Sequence, residues 1–324
     1  MASDKLFTYG PTNVDSLLAT TKSVLAKSKD FFHDAVFNNI PLLRWLEKTD
    51  QVKRQGGASI LVPVIYGKNT TFKAYSKDDV LDTTGQEGLS MAQAKWVNYG
   101  GTITLFGDEM RQNAGEGKLE DLVKARTMQA VKSGRDALAI DLFASSAASK
   151  KVLPLPIAVD ATSSVQDINS TTYSWWQAQT ATSGSFAARG LADMRNLRDL
   201  ILKQGQNGAS MSDYLLTTQL VYELYEASQT PSIRYAPRDN ADSSFESLKF
   251  SGATVEWDPN MATGEMYFLS SEAMQFVVHS DAEWSIGDFK EPVDQDLRSA
   301  KVIWMGNLVV LNRRRLGKLT GITA

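Results

Sequence analysis

The stretch that decides the fold is residues 56–106, GGASILVPVIYGKNTTFKAYSKDDVLDTTGQEGLSMAQAKWVNYGGTITLF. Two strand-like runs, around 58–67 and at 95–106, enclose a polar middle at 68–93, so the order predicts a long two-stranded excursion. The middle carries many charges and few large apolar residues, and an isolated hairpin is only marginally stable in water. The sequence therefore predicts that this hairpin needs a partner surface.

The next segment along the chain, residues 118–145, has the periodicity of a long helix. Its apolar residues fall at spacings compatible with one stripe: Leu119, Leu122, Val123, Met128, Val131, Leu138 and Leu142. At 1.5 Å per residue such a helix extends roughly 40 Å. Gly134 in its interior is a candidate bend, because glycine costs about 1 kcal/mol relative to alanine in a helix.

Residues 1–50 precede the hairpin and mix polar stretches with a modest helical pattern at 30–46. Phe31, Phe32, Val36, Ile40 and Leu43 could share one face of that helix. The pattern predicts an arm that ends in an anchor.

The C-terminal half is predicted to form a compact α/β unit and then a strand-rich end. The unit combines helices at 191–203 and 219–228, strands at 214–218, 253–257 and 266–270, and a polar loop at 231–242. The end combines strands at 274–280, 282–287 and 301–315, the last divided by Gly306-Asn307, a good two-residue hairpin signal. Between the long helix and this unit, Trp175 and Trp176 are expected to point to opposite sides of an extended segment.

Composition excludes several classes of protein. Hydrophobic residues make up 43% and charged residues 22%, which is typical of a folded globular chain. There is no cysteine, so disulfides and thiolate chemistry are excluded. The apolar runs fall far short of the roughly 20 residues that span a bilayer, and no secretory signal is recognisable at the start. The net charge of −3 predicts at most weak, non-specific contact with DNA.

Few residues suggest catalysis. His33 and His279 supply the imidazoles, and each is interpreted as a packed or surface histidine because no nucleophile motif such as GxSxG occurs. Asp108-Glu109 with Arg111 is interpreted as solvation of the approach to the long helix rather than an acid–base pair. Gly115 and Gly117 are too few to cradle a phosphate. No cofactor and no metal is expected.

The cluster Arg313-Arg314-Arg315 is the densest basic feature of the sequence. Three interpretations stay open: a solvated strand end, pairing with an acidic patch of a neighbouring subunit, or contact with DNA. Residues predicted to lie between subunits are Lys68, Lys73, Lys77, Asp78, Asp79, Arg313, Arg314 and Arg315.

The order of these parts resembles the major capsid proteins of tailed bacteriophages, whose fold is named after phage Hong Kong 97. The resemblance covers essentially the whole chain and rests on these passages: GGASILVPVIYG, VNYGGTITLFGDEM, GKLEDLVKA, FSGATVEWDPNM, MYFLSSEAMQF and KVIWMGNLVVLNRRRLGKLTGIT. It implies an α+β fold with an N-arm, an E-loop hairpin, a long spine helix, a P-domain and an A-domain. The implied division is 1–50 for the N-terminal arm, 51–117 for the E-loop hairpin and its flanks, 118–187 for the P-domain with the spine helix, 188–279 for the A-domain, and 280–324 for the closing sheet of the P-domain.

The resemblance also implies a function. A structural, non-enzymatic major capsid protein would assemble with itself as hexamers and pentamers into an icosahedral virion shell around double-stranded DNA, in the cytoplasm of a host bacterium. Implied partners are a separate scaffolding protein and a portal, with a decoration protein left open. Gly134 and Gly100-Gly101 become candidate flex points, and a Lys68–Asn69 type of cross-link has no support in the sequence. The alternatives are an encapsulin-like shell around protein cargo and, from another class, an enzyme of two α/β units with a flexible flap.

Overall fold

A computed structural model of the protein describes residues 40–67, 69–77, 79–112, 116–204, 212–233 and 248–324. Its helices, numbered in chain order, are α1 (Pro41–Lys48), α2 (Gly107–Gln112), α3 (Glu116–Leu142), α4 (Leu155–Ala158), α5 (Leu191–Gln204) and α6 (Gln219–Ile233). Its strands are β1 (Val52–Gln55), β2 (Ile60–Ile65), β3 (Leu89–Ala94), β4 (Val97–Phe106), β5 (Gln179–Thr182), β6 (Tyr214–Thr217), β7 (Lys249–Phe250), β8 (Ala253–Trp257), β9 (Met266–Leu269), β10 (Met274–His279), β11 (Ser285–Ile286), β12 (Leu297–Val310) and β13 (Gly317–Thr320). Helix and strand are mixed, which confirms the predicted α+β class.

Three sheets organise these strands. A five-stranded sheet has the order β1-β10-β12-β11, with β4 also paired to β12. A six-stranded sheet has the order β5-β13-β9-β6-β8-β7, and α5 and α6 pack against it. The strands β2 and β3 form a separate two-stranded hairpin. None of the helices in the described ranges has the length and hydropathy of a membrane-spanning segment.

The sheets do not follow the predicted boundaries at 187/188 and 279/280. Strand β10 lies within 188–279, yet it belongs to the five-stranded sheet, where it pairs with β1 and β12. Strands β5 and β13 belong to the six-stranded sheet, where they pair with each other, and β13 also pairs with β9. Each sheet therefore draws on segments that are distant in sequence, which local patterns cannot reveal.

The predicted hairpin at Gly306-Asn307 is wrong, because β12 runs through both residues without a turn. Gly306 is in register with Val97 on β4 and with Val278 on β10, so neighbours occupy both of its sides. Neither residue has the positive φ that a two-residue hairpin requires. The small residue is needed for close approach instead: a Cβ at Gly306 would lie 2.7 Å from the carbonyl oxygen of Val277.

The long hairpin exists, but its return strand differs from the predicted one. Strand β3 pairs with β2 from Ile60↔Ala94 to Ile65↔Leu89. The run at 97–106, predicted to close the hairpin, is β4, which pairs with β12 over ten residue pairs from Val97↔Gly306 to Phe106↔Leu297. The sequence of β3, LSMAQA, buries only alanines, so it gives little apolar signal.

Helix α3 confirms the predicted long helix and spans 27 residues. Val131, Leu138 and Leu142 are buried, whereas Met128 is about half exposed. Gly134 lies against Trp284, and a Cβ there would be 3.0 Å from the indole ring. Close packing therefore explains this glycine, and the described geometry gives no evidence for the bend that was predicted.

The tryptophan pair does not lie on an extended segment. Ser174–Trp176 form a single 3₁₀ turn, Trp176 is buried, and its Nε1 donates to the carbonyl of Val165 at 3.1 Å. Trp175 stacks on Tyr66 of the hairpin, with ring centroids 4.9 Å apart. One tryptophan is thus a core residue and the other supports the hairpin.

Some predictions fall outside the described residues. These are residues 1–39 of the arm, with His33 and most of the helix predicted at 30–46, and Lys68, Asp78 and Gly115. The described part of the arm contains α1, which is anchored as predicted. Leu42, Leu43 and Leu46 are buried, and Trp45 stacks on Tyr214 with the ring centroids 4.8 Å apart.

Candidate assembly surface

The hairpin has two apolar faces because β2 is built from the continuous run ILVPVI. Side chains alternate along a strand, and the structure buries Ile60, Val62 and Val64 while it exposes the intervening Leu61 and Ile65. A continuous apolar run is typical of a strand that is covered on both faces. Among the residues that the structure describes, only one of the two faces is covered.

The inner face of the hairpin packs on the body of the protein. Its buried side chains form one cluster with Ile168 and Trp176 of the segment after α3 and with Val277 and Val309 of the five-stranded sheet. At its base, the hairpin therefore finds a partner surface on its own chain. This contact fixes which face points outward.

The outer face carries apolar side chains that no described residue covers. Ile65 and Leu89 are 77% and 75% exposed, and Leu61 and Met91 are more than half exposed. They lie on neighbouring positions of the β2–β3 register, with Pro63 paired to Met91. Contiguous exposed apolar patches on a folded chain mark interaction sites, because each large side chain gains about 1.5–3 kcal/mol when it is buried.

The tip of the hairpin, residues 67–88, extends this surface. Its exposed apolar residues are Phe72, Tyr75, Val80 and Leu81, of which Phe72 is 93% exposed. Sequence reasoning overlooked them because charged neighbours dominate the segment. We define the outer face and the tip together as the assembly surface: Leu61, Pro63, Ile65, Phe72, Tyr75, Val80, Leu81, Leu89 and Met91.

Short-range hydrogen bonds shape the tip. The Asp82 carboxylate accepts from the hydroxyl of Thr84 at 2.6 Å and from its backbone N–H at 2.9 Å, and these bonds lower the pKa of Asp82. The Asp79 carboxylate accepts from the N–H of Ser76 at 2.7 Å. Gly67 and Gly88 approach closely where the tip begins, since a Cβ at Gly67 would lie 2.9 Å from the Cα of Gly88. These contacts give the described part of the tip local turns, although it buries little.

The charged residues predicted to lie between subunits differ in exposure between the hairpin and residues 313–315. Lys73, Lys77 and Asp79 are exposed at the tip, where a second molecule could reach them. Lys68 and Asp78 lie outside the described residues.

Arg313 corrects the prediction for the arginine cluster. Its side chain has no exposed surface, and it donates to the carbonyls of Ile157, Ala158, Asp160, Ser163 and Trp176 and to the hydroxyl of Ser170. Burial lowers the pKa of Arg313 to about 10, and the nearby Asp160 partly offsets that effect. Because the guanidinium nitrogens of Arg313 all donate to groups of the same chain, the side chain is not available to a neighbouring subunit.

The other two arginines of the cluster have separate environments. Arg315 forms an ion pair with Glu272, and Arg314 is half-buried while its backbone N–H donates to the Asn312 side chain at 3.2 Å. The sequence order RRR therefore hides three different roles. A single dense basic patch does not form.

The candidate catalytic residues within the described ranges are held in ordinary structural contacts. His279 packs edge-on against Trp96 at 5.2 Å, and its Nδ1 accepts from the N–H of Asp281. Arg111 bridges Asp108 at 3.0 Å and Asp296 at 2.6 Å. Glu109 instead pairs with Arg126 on α3 at 2.8 Å, which ties α2 to the long helix. Across the described ranges, no group of three or more His, Asp or Glu side chains is arranged to hold a metal ion.

A cavity of 430 Å³ lies between β4 and α3. Gly100, Gly101 and Gly134 line it together with Trp284 and Arg126. No atom lies within 4 Å of the position a Cβ would take at Gly101, so the strand is open there. The glycine pair proposed as a flex point thus borders free space beneath the long helix.

Similar solved structures share this arrangement across most of the chain. A capsid asymmetric unit of cyanophage A-1(L) matches with a TM-score of 0.64 and 13% identity over 88% of this chain and 93% of that one. The capsid of Myoviridae phage XM1 matches with a TM-score of 0.54 and 12% identity over 86% and 91%. The chain has the Hong Kong 97-type capsid fold.

An encapsulin has a similar fold. The holo-SrpI encapsulin complex from Synechococcus elongatus PCC 7942 matches with a TM-score of 0.52 and 12% identity over 88% of this chain and 89% of that one. No protein-family model matches the sequence, and no curated protein matches it. At these identities the comparison establishes the fold, and the function must be argued from the surface.

Proposed function

We propose that this chain is the major capsid protein of a tailed bacteriophage, which assembles with itself as hexamers and pentamers into an icosahedral shell around double-stranded DNA. The observation that carries the proposal is the assembly surface, an apolar face on a hairpin whose opposite face is anchored in the body. The fold supports it, since similar solved structures are described as phage capsids.

The assembly surface gives the mechanism of association. A second copy that covers Leu61, Ile65, Leu89 and Met91 removes apolar area from water, and the anchored inner face keeps the hairpin directed outward. A standard protein interface buries about 1,600 Å² in total. In a closed shell each subunit makes several such contacts, so the shell is stable even where single pairs are weak.

The proposed role is structural rather than catalytic, and it assigns parts to the described elements. The hairpin β2–β3 with its tip is the E-loop, α3 is the spine helix, the five-stranded sheet belongs to the P-domain and the six-stranded sheet to the A-domain. Residues 1–50 are assigned to the N-arm. A separate scaffolding protein and a portal are the proposed partners, with a decoration protein as a further option, and DNA is contacted weakly because the net charge is −3. Assembly would take place in the cytoplasm of the host and end in the virion.

An encapsulin-like shell is the second candidate, and the similarity to the holo-SrpI encapsulin complex favours it. The two functions share self-association and differ in content. Particles purified from producing cells separate them: nuclease-protected double-stranded DNA supports the phage capsid, whereas a defined enclosed protein supports the encapsulin.

A truncated hairpin tests self-association directly. Residues 68–87 are replaced by an Asn-Gly turn, which is feasible because Gly67 and Gly88 already lie in contact. We expect a folded subunit with a cooperative thermal transition and no shells in electron micrographs, under conditions where the full chain forms them. Shells of normal size and yield from the truncated chain would refute the mechanism.

A matched control keeps the length of the tip and changes only its charges. Lys73→Gln with Lys77→Gln leaves the apolar residues of the assembly surface intact. If burial of apolar area drives association, this variant still assembles. Loss of shells in the control alone would assign the hairpin contact to charge pairing instead.

A further inference from the structure

A tight turn beside the hairpin carries unusual backbone strain. Val165 and Ile168 exchange two backbone hydrogen bonds of 3.1 Å, and the two residues between them, Gln166 and Asp167, have φ values of 55° and 60°. Turns of this kind favour Asn-Gly, because a left-handed backbone costs free energy for residues that carry a larger side chain. Two such residues in succession are held in place by their surroundings.

The Gln166 side chain adds a second local cost. The residue is 9% exposed, and within the described residues neither Oε1 nor Nε2 of its amide has a hydrogen-bond partner. A buried amide without partners is unfavourable relative to one in water. Strain and lost solvation therefore coincide at a single residue.

This turn connects the hairpin to the body. The carbonyl of Gln166 accepts from the backbone N–H of Gln93 on β3 at 3.2 Å, and Ile168 packs against the inner face of the hairpin. On the other side, Arg313 donates to the carbonyls of Asp160, Ser163 and Trp176, which ties the segments on both sides of the turn to the body. The strained turn therefore lies between the segment that Arg313 binds and the long β2–β3 hairpin.

We propose that the Val165–Ile168 turn is a releasable latch that sets the angle of the hairpin on the body. While the hydrogen bond to Gln93 is made, the hairpin is held against the turn and the strain persists. When the hairpin lifts away, the turn relaxes and the Gln166 amide reaches water, which lowers the cost of lifting. The latch acts within one chain, so it goes beyond the proposed function and does not depend on self-association.

The register of the hairpin allows the hydrogen bond to be removed cleanly. Tyr66 donates to the carbonyl of Gly88, which places residues 88, 90, 92 and 94 at the hydrogen-bonded positions of the β2–β3 pair. The N–H of Gln93 consequently points to the opposite edge, where it meets Gln166. Gln93→Pro deletes this bond and leaves the β2–β3 ladder intact.

The experiment measures amide hydrogen exchange in β2 and β3 of the isolated, unassembled subunit. Gln93→Pro is expected to speed exchange at least about threefold, the effect of one lost hydrogen bond. Met91→Pro is the matched control: its N–H lies on the same edge two residues away, without a bond to Gln166, and exchange should change far less. Equal acceleration in both variants would overturn the proposal.

A second variant tests the strain itself and does not depend on proline being tolerated. Gln166→Asn combined with Asp167→Gly gives the turn its preferred residues and removes the long buried amide. We expect slower exchange in the hairpin by about threefold or more, because the latched state loses its penalty. Unchanged or faster exchange in this variant would also overturn the latch. Since the readout uses the monomer, the result is independent of whether shells form.

Discussion

Ile65 and Leu89 lie opposite each other in the register of β2 and β3, and both side chains are about three-quarters exposed, at 77% and 75%. Directly opposite side chains on an antiparallel pair are close neighbours. No element within the described ranges covers this pair. The pair is the centre of the assembly surface.

Charge at this pair should abolish assembly without unfolding the subunit. We expect Ile65→Asp with Leu89→Lys to prevent shell formation, because both charges would need to be desolvated in the interface. The thermal stability of the isolated subunit should change little, since substitutions at exposed sites are usually within about 0.5 kcal/mol. Light scattering and electron microscopy measure the first effect, and calorimetry measures the second.

Ala147→Asp is the control for that variant, because Ala147 lies in an exposed loop far along the chain from the hairpin. It should assemble normally. If the hairpin variant also assembles normally, the outer face is not an interface.

Adjacent residues on β2 should respond in opposite ways to truncation. Ile60 is buried between hairpin and body, so Ile60→Ala is expected to destabilise the isolated subunit by about 2–5 kcal/mol. Leu61 is more than half exposed, and Leu61→Ala should cost about 0.5 kcal/mol or less. Urea unfolding of the two variants measures the contrast, and similar values would mean that the inner face is not packed as described.

Arg313 should be essential for stability despite its place in a basic cluster. Arg313→Met leaves several buried carbonyls without a donor and should cost roughly 3 kcal/mol or more. Arg313→Lys should recover little, because one ammonium cannot reproduce the planar fork.

The neighbouring Arg314→Met provides the comparison. The Arg314 side chain is half-buried, and its replacement should change the free energy of unfolding by about 0.5 kcal/mol or less. Urea unfolding of Arg313→Met, Arg313→Lys and Arg314→Met measures the loss of stability in each variant. Equal losses for the two methionine variants would contradict the structural role assigned to Arg313.

Asp160 should make the protein sensitive to acid. Burial raises the pKa of Asp160, but hydrogen bonds from the side chains and backbone of Ser163 and Thr162 outweigh it, and the net pKa is lowered from 3.8. A carboxyl with a lowered pKa stabilises the fold above its unfolded value and loses that contribution as the pH falls through the folded value. Stability should therefore decline below about pH 4.

Asp160→Asn should flatten this decline, because the titrating group is gone while an oxygen acceptor remains. Thr162→Val with Ser163→Ala should act in the same direction, because it removes the two hydroxyl donors that lower the pKa of Asp160 and leaves only the two backbone donors. Unfolding free energies measured between pH 2 and 7 test both variants. An unchanged acid dependence in Asp160→Asn would show that other carboxyls dominate.

Several elements were predictable from local pattern because their signal is local. The periodicity of residues 118–145 predicts α3, and the strands YLLTT and ATVEW follow from short apolar runs. The return strand β3 was not predictable in this way, since Ala92 and Ala94 are its buried residues. The dipeptide Gly306-Asn307 favours a turn locally, whereas pairing on both sides of β12 keeps it extended.

The sequence by itself determined the order of parts, the long helix, the mixed class and the presence of a hairpin with a polar tip, because each depends on the spacing of residues within one segment. Tertiary structure alone decided which face of the hairpin is covered, why Arg313 is buried, and where Gln166 is strained. Those features arise from contacts between residues far apart in the chain, such as Arg313 with the loop at 157–176 and Gln93 with Gln166. Local propensity carries no information about such contacts, since they exist only once the chain has packed.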